Sequence, residues 1–325
     1  MKLYSITELL HHINKEICNN QIIGTVQSMY DPINYSLTLS SKRVRPLLML
    51  MSYNLFKENI SDVYTQAQAI EMFHTSTLLH DDLMDESPLR RGVQTVYRKW
   101  SPNQAILSGD AMVVLANQMM CQAPIQNISK VMAAFTKAQL EVCEGQQLDL
   151  QFETLDIVST EEYLQMIRLK TAVLLACSLE IGALLAGADD SDVADLYLFG
   201  INIGLAFQIQ DDMLDTYGDA KILGKQIGDD IASAKKTILL IHAYQQADIK
   251  GRKEIMNLIQ NTSIPLEERL PKVITLFDHY GVHQYALDLI EQYNRKAFEA
   301  LNNLSAKFDV SMLKEFACSL MKRNK

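Results

Sequence analysis

The chain has 325 residues, of which 48% are apolar and 21% charged. That balance excludes wholesale disorder and a fibrous repeat, and it is enough to fill a sizeable core. The net charge is −9 with no basic tail, which disfavours nucleic-acid binding by bulk charge but not a local cationic pocket. Glycine (13) and proline (7) are scarce, and no proline occurs between Pro124 and Pro265, so the composition points to helices.

The N-terminal MKLYSITELLHHINKE turns polar too early for a signal peptide. From Ser61 as N-cap, Val63, Ala67, Ile70, Phe73, Thr77 and Leu78 recur at helical spacing until Ser87-Pro88, which predicts one long helix. Further helices are expected over about 103 to 121, 127 to 152 and 160 to 187. The last contains the most apolar stretch, Thr171 to Ala188; Glu180 interrupts it and it lacks the span for a bilayer, so it reads as a buried helix. A second long helix starts near Ser191 or Asp192, carries Val193, Leu196, Phe199, Ile203, Phe207 and Leu214, and ends at Gly218. Helices are also expected over about 232 to 247, 252 to 261 and 266 to the C-terminus, with no strand alternation, linker or repeat. The expectation is an all-α fold, a single large helical bundle with residues 1–325 as one domain. Five scattered cysteines, Cys18, Cys121, Cys143, Cys177 and Cys318, read as reduced packing residues of a cytoplasmic protein with no stable membrane insertion.

Two near-identical pentapeptides stand out: Asp81-Asp82-Leu83-Met84-Asp85 and Asp211-Asp212-Met213-Leu214-Asp215. In a helix, positions i and i+4 share a face with i+1 beside them, so each motif concentrates three carboxylates. Like charges there cost a few tenths of a kcal/mol, and the negative end of the helix dipole adds about 0.3–1 kcal/mol per charge. One such triplet would read as a solvated helix end; two copies, each flanked by apolar residues (Leu78, Leu79; Phe207, Ile209), point to a cleft. Oxygen-only ligands fit Mg²⁺, which takes one or two carboxylates per ion and shares substrate phosphates. The guest that follows is a diphosphate.

Cations accompany both motifs. Lys42-Arg43-Val44-Arg45-Pro46 precedes the first and Arg90-Arg91-Gly92 follows it; Lys225, Lys235 and Lys236 follow the second. Grouped in this way they read as two anion pockets, whereas any one basic pair would be a surface feature. The segment from Gly218 to Gly224-Lys225 is one residue too long for a P-loop, and neither G-x-G-x-x-G nor H-E-x-x-H occurs.

On these residues the chain resembles the trans-isoprenyl diphosphate synthase, or polyprenyl synthetase, family. The matching pieces are Ser41 to Pro46, Phe73-His74, Leu79-His80-Asp81-Asp82-x-x-Asp85, Leu89 to Gly92, Gly109-Asp110, Glu144-Gly145-Gln146-x-x-Asp149, Lys170-Thr171, Phe207-Gln208-x-x-Asp211-Asp212-x-x-Asp215 and Gly224-Lys225-x-x-Gly228-x-Asp230. They run in family order over roughly residues 40 to 240. The chain departs from the pattern at Ser40-Ser41 in place of Gly-Gly, at Tyr97 in place of His, and at Ala234 in place of Gly.

The resemblance implies a bundle around a deep apolar cavity, a homodimer, and condensation of an allylic diphosphate with isopentenyl diphosphate, aided by three Mg²⁺ ions. Asp81, Asp85 and Asp211 would hold metal, with Asp82, Asp212 and Asp215 supporting. Arg90, Lys170, Lys225 and Lys235 would grip the departing diphosphate; Thr171 and Gln208 would offer oxygen dipoles to the allylic cation. Lys42, Arg45, His74 and Arg91 would hold isopentenyl diphosphate, and Gln146 and Asp149 would orient metal-bound water. Small residues at Ser76 and Thr77, with Phe73 deeper, imply a product of twenty or more carbons. Rival readings are a class I terpene cyclase, which a second full aspartate motif disfavours, a non-catalytic partner subunit, which six retained aspartates disfavour, and a catalytic subunit of a heteromeric long-chain synthase.

Overall fold

The computed structural model describes residues 3–218 and 227–321, and its described residues are overwhelmingly helical. Helix α1 (Ile6–Asn19) opens with a capping box: Ser5 Oγ accepts from Glu8 N, and the Glu8 carboxylate accepts from Ser5 N. It buries Leu9, Ile13 and Ile17, one residue per turn. Helices α2 (Gln27–Thr38) and α3 (Val44–Asn54) follow, and α3 is buried on every face from Pro46 to Asn54, which marks it as a core helix.

Ser61 does not cap the next helix. It lies in a 3₁₀ turn, Ile60–Val63, that leads into α4 (Tyr64–Met84), because Asn59 and Ser61 tie that turn together through side-chain hydrogen bonds at 2.6 and 2.8 Å. A two-residue hairpin follows, Leu89–Arg90 against Val93–Gln94, too short to give an alternation signal. Helices α5 (Val96–Lys99), α6 (Pro102–Met120) and α7 (Ile128–Glu153) come next; α6 starts as its sequence dictates, with Ser101 as N-cap and Pro102 in the first turn.

The expected helix over 160 to 187 is α8 (Thr160–Ile167) and α9 (Val173–Ala186), joined without a break by a π-helical turn, Arg168–Ala172. The second long helix, α10, runs Asp190–Tyr217. After it, α11 (Asp229–Ala232) and α12 (Ile238–Gln246) are separate, because Ala234 takes a left-handed φ of 54° between them. Helix α13 spans Ile249–Gln260, and the expected C-terminal run divides into α14 (Leu266–His279), α15 (Val282–Ser305) and α16 (Ser311–Met321), the first break falling at Gly281 with φ 69°.

The chain forms two compact units. The first comprises Met1–Gln139, Cys177–Leu196 and Lys307–Met312; the second comprises Leu140–Ala176, Tyr197–Ala306 and Leu313–Lys325. In the first, Phe73 of α4 packs edge-on against Phe135 at 5.8 Å, and Ser52 donates to Leu179 O at 2.6 Å. In the second, α9 and α10 meet along small residues described below. Boundaries between units fall inside α7, α9, α10 and α16, with one more in the loop after α15. Two helical runs, Thr160–Ala186 and Asp190–Tyr217, are long and apolar enough to cross a membrane, but 78% and 56% of their most apolar windows are buried inside the protein, as core helices are.

Candidate active site

In the first unit, Arg43 has a left-handed backbone (φ 47°) just before α3, and its buried guanidinium is clamped by four acceptors. These are Glu71 Oε1 at 2.7 Å, Asn14 Oδ1 and Leu39 O at 3.3 Å each, and Leu37 O. The clamp fixes the start of α3, so Lys42 stands exposed on one side of Arg43 while Arg45 turns inward and donates to His74 Nε2 at 2.9 Å. His74 must therefore carry its proton on Nδ1. Burial, reinforced by Arg45, Arg91, Arg90 and Arg43, holds the imidazole well below its ordinary pKa. Burial also lowers Arg45 to about 10, and lowers Arg91. Arg45 Nε is buried without a hydrogen-bond partner. An unpaired guanidinium donor beside further arginines is what an anion site requires.

Arg90 and Arg91 stand on the hairpin, where Arg90 Nε donates to Asp82 Oδ1 at 2.6 Å. Asp82 is buried, and burial raises its pKa against the opposing pull of Arg90. Asp81 is half-buried and Asp85, the C-cap of α4, is exposed.

In the second unit, close backbone approaches bring the reactive side chains together. Gly145 of α7 lies against the π turn, where a Cβ would fall on Lys170 N and 2.7 Å from Lys170 Cα. One turn on, Asp149 Oδ2 accepts from Lys170 Nζ at 2.6 Å. Gly200 and Gly204 of α10 lie against Ala176 and Ala172, and one turn beyond Gly204 the Gln208 amide oxygen accepts from Thr171 Oγ1 at 3.0 Å. Gln208 Nε2 donates to Asp212 Oδ1 at 3.1 Å, and Tyr163 Oη donates to Asp212 Oδ2 at 2.5 Å. Asp215 Oδ2 accepts from Asp230 N at 2.9 Å. Asp212 and Asp230 are both raised, by burial and by the neighbouring carboxylates.

The two pentapeptides thus differ in detail. In each, the second aspartate is buried and held, by Arg90 or by Tyr163 and Gln208, while the first is half-buried. The third is exposed as Asp85 but buried as Asp215. Among the described residues no three His, Cys, Asp or Glu side chains form a ready metal cage. Oxygen donors available singly or in pairs fit an ion that completes its shell with water and phosphate oxygens.

Lys235 and Gln146 are half-buried, whereas Lys236 is buried and donates to Glu153 O at 3.2 Å, closing the end of α7. Lys225 lies outside the described residues. Ser76 is only 1% exposed and donates to Phe73 O, so both residues face the first unit's core; Thr77, half-buried, shares the outward stripe with His74 and Asp81. Sequence reasoning missed the Arg43–Glu71 clamp, because Arg43 stood among cations read as anion ligands and Glu71 lies in a helical run, and it missed Tyr163, which lies in a helical run with no distinguishing spacing. Asp230 was visible as the last residue of a motif.

Residues 26–276 match the polyprenyl synthetase family. The chain is 38% identical over 307 residues to a geranylgeranyl diphosphate synthase of Sulfolobus acidocaldarius, covering 93% of this chain and 92% of that protein. It is 36% identical over 266 residues to a geranylfarnesyl diphosphate synthase of Natronomonas pharaonis, covering 76% and 78%. A crystal structure of a geranylgeranyl pyrophosphate synthase superimposes with a TM-score of 0.93 at 37% identity, covering 99% of this chain and 100% of that one. With the motifs, the helical architecture and these similarities in agreement, the chain belongs to the trans-isoprenyl diphosphate synthase (polyprenyl synthetase) family and is a prenyl-transferring enzyme of the all-α isoprenoid synthase fold.

Proposed function

We propose that the protein condenses an allylic diphosphate with isopentenyl diphosphate to give a polyprenyl diphosphate of twenty or more carbons, using Mg²⁺. The observation that carries this reading is the division of labour within the two aspartate motifs. Each has a buried second carboxylate that holds its neighbours, while Asp85 is exposed and Asp81 and Asp211 are half-buried, and these three can serve as oxygen ligands. Bound Mg²⁺ ions, three by family resemblance, would supply the Lewis-acid neutralisation that makes diphosphate a leaving group. Asp82 keeps Arg90 pointed, and Arg90, Lys170, Lys225 and Lys235 bind the departing diphosphate. Asp149 fixes Lys170 Nζ. Gln208 and Thr171 present oxygen to the allylic cation. Lys42, Arg45, Arg91 and neutral His74 bind the isopentenyl diphosphate, the unpaired Arg45 Nε being a donor available to it.

Relatives named for twenty- and twenty-five-carbon products support the length. The helices that carry the chain from one unit to the other support one functional domain over residues 1–325. Free cysteines support the cytoplasm, and exposed apolar residues on α6 support a homodimer. The test is an assay of purified protein with isopentenyl diphosphate and radiolabelled farnesyl diphosphate, with and without Mg²⁺, followed by mass spectrometry of the dephosphorylated products. Elongation that requires Mg²⁺ and passes fifteen carbons is expected; metal-independent turnover, or farnesol alone, rejects the reading.

A further inference from the structure

We infer that Tyr163, a residue outside the motifs named above, is a positioning residue: through Asp212 it fixes the direction of the Gln208 and Thr171 dipoles that face the allylic cation. The inference deepens the proposed function and rests on it.

Tyr163 is 1% exposed, and its hydroxyl donates to Asp212 Oδ2 at 2.5 Å. Gln208 Nε2 donates to the other oxygen at 3.1 Å. A carboxylate only accepts, so Gln208 must turn its nitrogen to Asp212 and its oxygen away. That oxygen lies 3.0 Å from Thr171 Oγ1, so Thr171 must spend its one proton on Gln208. The donors in the chain are thereby ordered: Tyr163 and Gln208 both give to Asp212, and Thr171 gives to Gln208. What Thr171 Oγ1 has left is lone-pair density, and the Gln208 oxygen 3.0 Å away keeps a second lone pair, so the pair offers oxygen and no N–H. An amide turned over would offer N–H instead, the wrong sign for a cation.

Tyr163 matters because a carboxylate gripped at one oxygen can swing about its Cβ–Cγ bond, whereas one gripped at both cannot. With phenylalanine at 163, Gln208 would be the one side-chain hydrogen-bond partner left to Asp212 among the described residues, and the amide and carboxylate could move together away from Thr171. Low dielectric in this buried network makes a misaligned dipole costly where charge develops. Both Asp212 oxygens are engaged within the network, so loss of the Tyr163 hydroxyl acts first on the amide that Asp212 orients.

The experiment compares wild type and Tyr163→Phe by calorimetry, with Mg²⁺ and inorganic diphosphate present throughout. One probe is an isoprenoid chain ending in trimethylammonium; the other is its neutral tert-butyl isostere. Tyr163→Phe should weaken the cationic probe by about tenfold or more, the scale of one charge-assisted hydrogen bond, and leave the neutral one unchanged. In steady state kcat should fall while both Michaelis constants and the Mg²⁺ midpoint stay within about twofold. If the phenylalanine variant does not fold, fluorinated tyrosines placed at position 163 keep the shape and grade the hydroxyl's acidity; affinity for the cationic probe should grade with it. Equal loss of both probes, or loss of neither, overturns the inference, as does a flat fluorotyrosine series. A wild type that does not prefer the cationic probe overturns the proposed function as well, whereas a preference retained in Tyr163→Phe overturns this inference alone.

Discussion

At the scale of the residue, Ala234 and His74 are held in states that the folded protein imposes. Ala234 sits at φ 54°, where a Cβ crowds the following carbonyl, and the turn it makes lets Lys235 and Lys236 part, one half-buried and the other buried at Glu153. Ala234→Gly should raise stability by about 0.5–1 kcal/mol, measured by denaturant unfolding, since relief of strain exceeds the added entropy of the unfolded chain. His74 gives a pH signature. Its folded pKa is depressed by burial and four arginines, so below about pH 6.5 the unfolded chain takes up a proton that the folded one refuses. Unfolding is then favoured as pH falls, by at most about 1.4 kcal/mol per pH unit for this group. The raised Asp212 and Asp230 act in the opposite sense, because the folded state keeps their protons to higher pH. The difference between wild type and His74→Gln, followed by unfolding from pH 8 to 5, isolates the histidine: the wild type should lose more stability than the variant, and parallel curves would count against a neutral His74.

At the scale of the element, periodicity made α4 and α10 legible because each keeps apolar residues at helical spacing over many turns, and the aspartate motifs at their ends were legible as a repeated pattern. The π turn was not, since Arg168–Ala172 differs from α-helix only in how its backbone closes and its sequence holds no glycine or proline to mark it. It packs in the second unit against Gly145, whose bare Cα lets that backbone approach. Gly145→Ala should displace Lys170 and Thr171, costing about 1–3 kcal/mol of stability and, beyond that, turnover under conditions where the variant remains folded. Thermal unfolding and steady-state kinetics on one sample separate the two effects. The residues that line the path of a growing chain were less legible, since spacing back from Asp81 does not say that Ser76 and Phe73 turn to the first unit's core. Thr77 is the residue that shares the outward face, about 6 Å along α4 from Asp81. Thr77→Phe should shorten the product seen by mass spectrometry. Phe73→Ala should instead cost about 3–5 kcal/mol by opening a cavity against Phe135, with product length unchanged.

At the scale of the whole molecule, scarce glycine and proline, ordinary charge and abundant apolar residues were enough to point to a helical fold, while the outward faces of the helices depend on partners that composition cannot name. Helix α6 shows this. It turns Ala105, Met112 and Ala116 into the first unit's core, yet leaves Leu107 and Val114 each 58% exposed, two turns apart on one stripe, with Ile106 at 44% beside them. A single exposed leucine needs no explanation, but a stripe on one helix marks a surface that another chain covers. A second copy of this chain is the proposed cover, and since each copy carries −9, attraction must come from apolar burial and not from net charge. Sedimentation should therefore find twice the 36.8 kDa of the chain, with little sensitivity to salt. Leu107→Asp combined with Val114→Asp would place two more negative charges on each copy at that surface, and should give the mass of one chain together with a lower, concentration-independent unfolding temperature. A double variant that still sediments as two copies would move the interface to another face, and a wild type that sediments as one copy would remove the dimer altogether.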